Sequence, residues 1–519
     1  MIDTMRTLIA FLLLVLALGC PVAAQEPGDE SPLRFAVSVG PEFARGPLTG
    51  RLFVLITSDV AGEPRLRLQR PGSPAYVFSV PVKDLPGGQV VVFDQNTPGY
   101  PKRLSELPVG HYAVQAMIDI KTDEHDFTDA DGNGRSQTER IDLDPRTSGL
   151  VELKITREIA HGKPTPLPRI QYRRIETRSI GRHLGRRTFI DVAVVLPSEY
   201  EKQKDKSYPV QFWFPPYGTS AKGAVRFLQT RGIYDKKPLV RKDCDEFINV
   251  IVDGHTKSGN HYWVDSPNNG PWTHAFRNEV VPLVERDYRV LAGPSNRFLV
   301  GIGAGGWSAL WLLAHNAQDF GGAWALSPDP VTFRSFYGID LTNSASANFF
   351  TTPEGKPRVL TTEGAPGSIT EFAGLSGLEA VMGPGGRISS FESSFSPRDD
   401  SGRPAALFDR ETGALNPSVA LEWSRYDLLG HLSENWAQLG SSLAGKIHVF
   451  AGEKDGSGNQ AAVAALGNWL SEIGAAAEVH IVPGTDAAAL DLPPVHERLQ
   501  VEITRKRRWL QSRDAIRKQ

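Results

Sequence analysis

Two periodicities divide the chain. From Arg34 to Thr156 apolar and polar residues alternate in short runs: Arg34 to Val39, Arg51 to Thr57, Tyr76 to Val80, Val90 to Phe93, Gly110 to Ile120 and Gly149 to Thr156. Turn words such as Pro86-Gly87-Gly88 and Pro108-Val109-Gly110 separate them, and helical spacing is almost absent. Strand-like runs bounded by turn residues predict an all-β sandwich of immunoglobulin-like type over residues 33–157. From about Arg187 the pattern changes. Apolar strands (Phe189 to Leu196, Tyr208 to Phe214, Phe247 to Val252, Phe298 to Val300, Gly322 to Leu326, Lys446 to Ala451, Ala477 to Val482) alternate with helical runs (Glu279 to Tyr288, Trp307 to Asn316, Ala461 to Ile473). That alternation predicts an α/β domain over residues 187–519, with a mostly parallel sheet and helices on both faces.

Two stretches fit neither pattern. Residues 158–186 are rich in Pro and Arg (HGKPTPLPRIQYRRIETRSI) and read as a linker packed along the second domain. Residues 331–442 mix loop words, GPGGRISSFESSFSPRDDSGRPAALFDRETG among them, with helical pieces at Glu371 to Val381 and Val419 to Asp427. They are expected to form a cap over the C-terminal edge of the sheet, where open α/β sheets place ligands.

The first residues form a third kind of segment. Arg6 precedes the apolar run Leu8 to Leu18, and Val22-Ala23-Ala24 offers a small-residue cleavage site. Residues 1–24 therefore read as a secretory signal peptide, too short to span a bilayer. Cys20 after Gly19 raises a lipoprotein alternative, although Ala17-Leu18 fits a lipobox poorly. The expected location is secreted or periplasmic. No other stretch approaches membrane length. With the leader removed only Cys244 remains, which excludes an internal disulfide and a cysteine-based zinc site. A formal net charge of −2 argues against a nucleic-acid partner.

Candidate chemistry concentrates at Arg297 to Pro330. A strand-like run leads into Gly301-Ile302-Gly303-Ala304-Gly305-Gly306, then a helical segment, then a second strand. Strand, sharp turn and helix is the layout of a nucleophile elbow, G-x-S-x-G, with Gly303 where the serine belongs. The elbow residue is held in a strained conformation that glycine adopts freely. The competing reading is a phosphate cradle, since positions 301, 303 and 306 reproduce a shortened G-x-G-x-x-G.

The flanking words favour the elbow. GHTKSGNHYWVDSPNNGPW (254–272), EVVPLVERDYRV (279–290), RFLVGIGAGGWSALWLL (297–313) and FGGAWALSPDPVTF (320–333) resemble the secreted "putative esterase" family of α/β-hydrolases, the enterochelin-esterase-like group. The resemblance implies a Ser-Asp-His triad and carboxylic-ester hydrolysis without a cofactor. It assigns the nucleophile slot to Gly303, the acid slot to Asp455 in GEKD, and the histidine slot to Ala487 in PGTDA, or to Asp486 if that loop is shifted by one. Serine and histidine are both missing, and they are the two members that do the chemistry. The oxyanion-hole donors would be backbone amides near Tyr217 or Gly218, and that of Ala304, which can outlast the lost serine. His255, His261, Trp307, Ser327 and Asp329 are candidates to line the pocket. His496 opens the C-terminal helix and is expected on the surface.

Away from that site, Asp129, Asp131 and Asn133 match the first half of an EF-hand calcium loop. The twelfth position is Arg140 instead of Glu. Three readings follow. The first is a degenerate hydrolase that binds a small-molecule or ester-like ligand. The second is an active esterase with a rearranged site. The third is an interaction protein that works through its β-sandwich.

Overall fold

The structure is a computed structural model. It describes residues 31–68, 75–121, 127–128, 130–160, 169–230, 244–343, 347–360, 371–487, 490 and 493–518. The expected leader with Cys20 lies outside the described residues, as does Asp129. No helix among the described residues is long and apolar enough to cross a membrane.

The alternating runs near the N-terminus become nine strands: β1 (Arg34–Val39), β2 (Leu48–Thr57), β3 (Ala75–Leu85), β4 (Val90–Phe93), β5 (Gly99–Tyr100), β6 (Gly110–Asp119), β7 (Gly134–Ser136), β8 (Glu139–Leu143) and β9 (Leu150–Glu158). They pair in the order β4-β1-β9-β7-β6-β2-β3-β5, with β8 on β6. The pair β1–β9 is parallel. Period two explains the core: Phe35, Val37 and Val39 of β1, Leu52, Val54 and Ile56 of β2, and Val114, Ala116 and Ile118 of β6 turn the same way into one cluster. The opposite face of β2, through Phe53 and Leu55, packs with Met117, Phe127 and Val381. Val381 belongs to the cap, so the cap is bolted to this sheet.

The second sheet holds β10 (Ile170–Glu176), β11 (Phe189–Val195), β12 (Val210–Phe214), β13 (Ile248–Val252), β18 (Arg297–Ile302), β19 (Gly322–Leu326), β20 (Ile447–Gly452) and β21 (Glu478–Val482). The short strands β14 (His255–Thr256) with β15 (Gly259–Asn260), and β16 (Asp265–Ser266) with β17 (Gly270–Pro271), form two small ladders beside it. The order is β10-β11-β13-β12-β18-β19-β20-β21. Strand β11 is antiparallel to both neighbours, and every pair from β13 to β21 is parallel. All five residues of β12 and of β19 are buried, as expected of strands covered on both faces.

Parts of the sequence-based picture need correction. The expected linker 158–186 contributes β10, which pairs with β11 from Ile170–Val195 to Glu176–Phe189, and a helix, Arg178–Leu184. Four consecutive β10 residues, Gln171 to Arg174, are exposed, because β10 is an edge strand and its charges discourage further pairing. In the cap, the stretch read as loops contains the helix Arg387–Phe395. Its serine-rich sequence gives little helical signal. Its first turn is capped from a distance: Glu379 accepts Ile388 N at 2.8 Å and Ser389 N at 3.0 Å. A further cap helix, Leu428–Leu443, starts where Asp427 Oδ1 accepts Gly430 N at 2.8 Å.

The turn after β18 carries the tightest packing. A Cβ on Gly301 would lie 2.1 Å from Gly305 O, and one on Gly305 would lie 1.9 Å from Phe214 O. No side chain fits at either place. Gly303 differs. It has φ 55° and ψ −121°, so the backbone is of the strained kind, but a Cβ there would meet nothing closer than Pro216 Cβ at 3.6 Å. Its carbonyl accepts Trp307 N, which starts the helix Ala304–His315. Every residue from Ala304 to Ala314 is buried, so this helix is a core element.

These clearances predict different costs at neighbouring glycines. Gly303→Ala is expected to lower unfolding stability by roughly 1–3 kcal/mol, the cost of the conformation alone. Gly305→Ala is expected to cost more than that, because β12 and the helix must separate. Urea unfolding of the two variants checks the order.

Candidate functional site

The parallel strands bring the candidate residues to one edge of the sheet. Gly303 N donates to Leu326 O at 3.0 Å, and Asp329 N donates back to Gly303 O at 3.1 Å. Ser327 N donates to Phe450 O at 2.7 Å, and Lys454 N donates to Thr485 O at 2.8 Å. These links string the ends of β18, β19, β20 and β21 together. Gly303, Ser327, Asp329, Asp455 and the loop to Ala487 therefore follow one another along the C-terminal edge. Gly452 is the tight point of the last step, because a Cβ there would lie 2.8 Å from Asp486 O.

Asp455 is buried. Its Oδ1 accepts Ser457 N at 3.0 Å and the Ser457 hydroxyl, whereas Oδ2 has no hydrogen-bond partner among the described residues. An orphaned carboxylate oxygen in a buried site is costly. Ala487, in the loop beside it, offers no donor side chain. Ser327 is also buried, with φ 35° and a hydroxyl that finds no partner among the described residues.

The loop after β12 carries Tyr217 and Gly218. Gly218 has φ 83°, and the Tyr217 hydroxyl donates to Gly385 O of the cap at 3.0 Å. Burial pushes the Tyr217 pKa up, so the phenol stays a donor. Ala304 opens the helix Ala304–His315, so its N–H is among the first amides, which have no acceptor within the helix. His255 sits in the small ladder beside β13, its backbone N–H held by Asp253 Oδ1 at 3.0 Å.

Three expectations fail here. His261 does not face the cleft. It is fully buried, stacked on Trp272 at 3.6 Å, and its Nδ1 accepts Trp263 N at 3.1 Å. Trp307 likewise belongs to the aromatic core, stacked on Trp311 at 5.2 Å. His496 is buried against Trp213, with ring centroids 5.3 Å apart, because the C-terminal helix lies on the sheet face. Part of each aromatic environment comes from elements distant in sequence, Trp213 against His496, Phe395 against Trp307 and the strand-end packing around His261, so local pattern gave no warning of the burial. The calcium reading is weakened in the same way. Asn133 Oδ1 accepts the amides of Ile120 and Lys121, and Nδ2 donates to Asp119 Oδ1 and Phe127 O. Its oxygen braces a turn instead of facing outward. No cluster of three metal-ligating side chains occurs among the described residues.

The structure adds a network the sequence did not suggest. Asp329 is buried and accepts the Tyr262 hydroxyl at 2.7 Å, the Tyr337 hydroxyl at 3.2 Å and Arg387 Nη2 at 3.2 Å. Arg387 Nη2 also donates to the Tyr337 oxygen at 2.6 Å. Burial pushes both phenols far up, which keeps them protonated donors toward the carboxylate. Arg387 opens a cap helix and Asp329 is hydrogen-bonded to Gly303 through its backbone. The cap is thus fastened directly behind the Gly303 turn. The stretch around Arg387 reads as loop, and no sequence signal marks its partner.

Known proteins share this region. Residues 184–400 match the model of the family described as Putative esterase. Esterase MT1326 of Mycobacterium tuberculosis (strain CDC 1551 / Oshkosh) is 29% identical over 178 residues, 33% of this chain and 35% of that protein. Esterase Rv1288 of strain ATCC 25618 / H37Rv gives the same figures. The chain therefore spans about a third of the length of the curated relatives it matches. Among solved structures, a ferulic acid esterase is 14% identical with a TM-score of 0.39, covering 65% of this chain and 98% of its own. An S-formylglutathione hydrolase from Agrobacterium tumefaciens is 12% identical with a TM-score of 0.36, covering 65% and 95%.

Two outcomes are expected from this geometry. Burial holds the His261 pKa well below its ordinary value of 6.5, with His255 adding repulsion. The folded state therefore refuses a proton that the unfolded chain takes. Stability is complete above about pH 6.5 and falls as pH drops below it. Glu392, whose pKa burial pushes up to about 7, works the opposite way, so the His261 contribution is read by difference. Between about pH 8 and about pH 5 the thermal midpoint of His261→Asn is expected to fall less, or rise more, than that of the unsubstituted protein. Arg387→Met leaves the Asp329 carboxylate buried with only two phenol donors. It is expected to cost roughly 3 kcal/mol in urea unfolding, at the low end for a broken buried pair.

Proposed function

We propose that residues 187–519 are an α/β-hydrolase domain of esterase type that has lost ester hydrolysis and binds its ligand without turning it over. The observation that carries this reading is the Gly303 turn. It has the backbone shape of a nucleophile elbow, a C-terminal-edge position and open space for a side chain, yet no side chain. The buried Asp455, with one oxygen lacking a partner, supports a role as the acid that once oriented a histidine, and Ala487 occupies the loop expected to supply that histidine. The amides near Tyr217 and Gly218, and that of Ala304, would remain as an oxyanion hole. Serine or histidine loss alone removes roughly 10⁶ in turnover from such a triad, because the two act as a unit.

The same proposal makes the nine-strand unit an immunoglobulin-like sandwich that supports the cap. The alternating core and the packing of Val381 on its outer face support this. It also makes the protein secreted or periplasmic, on the strength of the leader at residues 1–24. A second reading, an active esterase with a rearranged site, has one observation in its favour: the buried hydroxyl of Ser327 on the same edge, without a partner among the described residues. Without a base in contact, that hydroxyl is not activated.

Hydrolysis of short-chain p-nitrophenyl esters separates the two. The unsubstituted protein is expected to show no rate above the blank, as are Gly303→Ser and Ala487→His alone. The double variant is expected to gain a rate. A rate in the unsubstituted protein that disappears in Ser327→Ala or Asp455→Asn would sink the degenerate reading.

A further inference from the structure

Between the nine-strand sheet, the cap and the loop after β12 lies a cavity of about 830 Å³, within the size range of small-molecule sites. Its floor is formed by β2 and β3, and its roof by the cap helix Phe372–Met382 with the turn Gly383 to Gly386. The back wall includes Tyr217, Gly218, His255 and Lys257. Tyr217 and Gly218 follow Pro216, the residue nearest to a Cβ on Gly303. The cavity is therefore next to the turn yet built largely from parts outside the hydrolase-like sheet.

Its lining has two halves. One is apolar: Phe53 and Phe127, stacked at 4.5 Å, with Leu375, Leu378 and Met382. The other is charged, and its balance is uneven. Arg51 is half-buried, with its guanidinium against Gly383. Among the described residues it donates only to neutral acceptors, Ser79 Oγ at 2.9 Å and Val381 O at 3.2 Å, and forms no ion pair. Burial lowers its pKa, with Asp119 opposing this from a distance. Lys257 forms no ion pair with a described residue either. Arg387, by contrast, is occupied with Asp329 and Tyr337.

The two carboxylates in the lining are also occupied. Asp119 Oδ1 takes Asn133 Nδ2 at 3.0 Å and Lys121 N at 2.9 Å. Glu379 caps the helix Arg387–Phe395. Among the described residues Asp119 acts on Arg51 and Lys257 only through space, so neither cation has a carboxylate in contact. A half-buried guanidinium on neutral acceptors is a site that gains from an anion, since charge-assisted bonds are the strong ones.

We propose that this cavity binds a small organic carboxylate with an aromatic or aliphatic body, its acid group on Arg51 and Lys257 and its body against Phe53, Phe127 and Leu378. This names the ligand class for the binding role proposed above and rests on that role. Calorimetric titration with cinnamate and with hexanoate, each beside its methyl ester, tests it. The acids are expected to bind saturably, and the esters roughly tenfold more weakly or worse. Arg51→Gln and Lys257→Gln are each expected to weaken the acids about tenfold and to leave the esters unchanged. Acid binding is expected to weaken as salt is raised.

Acids that bind no better than their esters overturn the proposal, as does the absence of saturation up to about 10 mM. Full affinity in a folded Arg51→Gln does so too. If that variant fails to fold, Lys257→Gln and the acid-against-ester comparison on the unsubstituted protein decide. Chromatography of the esters after titration keeps the two claims apart. Ester cleavage would sink the loss of hydrolysis, while preferred binding of the acids would still stand.

Discussion

The contact between Gly305 and Phe214 O is the constraint on which the central sheet depends. At that point β12, β18 and the buried helix Ala304–His315 meet with no room for a side chain. Gly301 repeats the condition one turn earlier, against Gly305 O. With these two positions fixed, the chain must reverse from strand to helix at Gly303, whose positive φ follows from the sharpness of the turn. The packing requirement at 301 and 305 is therefore separate from any requirement at 303. Chemistry at 303 can change while the frame stays.

Around that turn the structure is braced from several sides. Backbone hydrogen bonds join the ends of four neighbouring strands, and Asp329 ties the Gly303 carbonyl to Tyr262, Tyr337 and Arg387. The aromatic core beneath, with Trp263, Trp272, Trp307 and Phe276, is packed edge to face and leaves His261 neutral among rings. The cap is held at several places, among them Arg387 behind the turn, Tyr217 on Gly385 O, and Val381 and Arg51 on the nine-strand sheet. The cavity lies among these attachments.

Much of the fold was legible in the sequence, for reasons that are local. Runs such as Val90–Phe93 and Gly322–Leu326 appear as strands at the expected residues, because period and turn chemistry act over a few positions. The glycine turn at 301–306 was legible because close approach excludes every other residue. The helix Arg387–Phe395 was not, since its capping carboxylate sits on another helix. β10 was not, since an exposed edge strand rich in arginine looks like a linker.

The sequence by itself determined that two differently patterned regions are joined and that position 303, in the middle of the glycine-rich turn, carries no side chain. These are facts of composition and spacing, and folding does not alter them. Only the tertiary structure decided which polar groups meet. It buried His261 and His496 against indole rings, turned Asn133 inward to brace a bend, paired Arg387 with Asp329 across 58 positions and set Arg51 on neutral acceptors beside a cavity. The physical reason is range. Periodicity and steric exclusion act between neighbours in the chain, whereas hydrogen bonds and charge balance depend on which distant segments the packed core brings within a few ångströms.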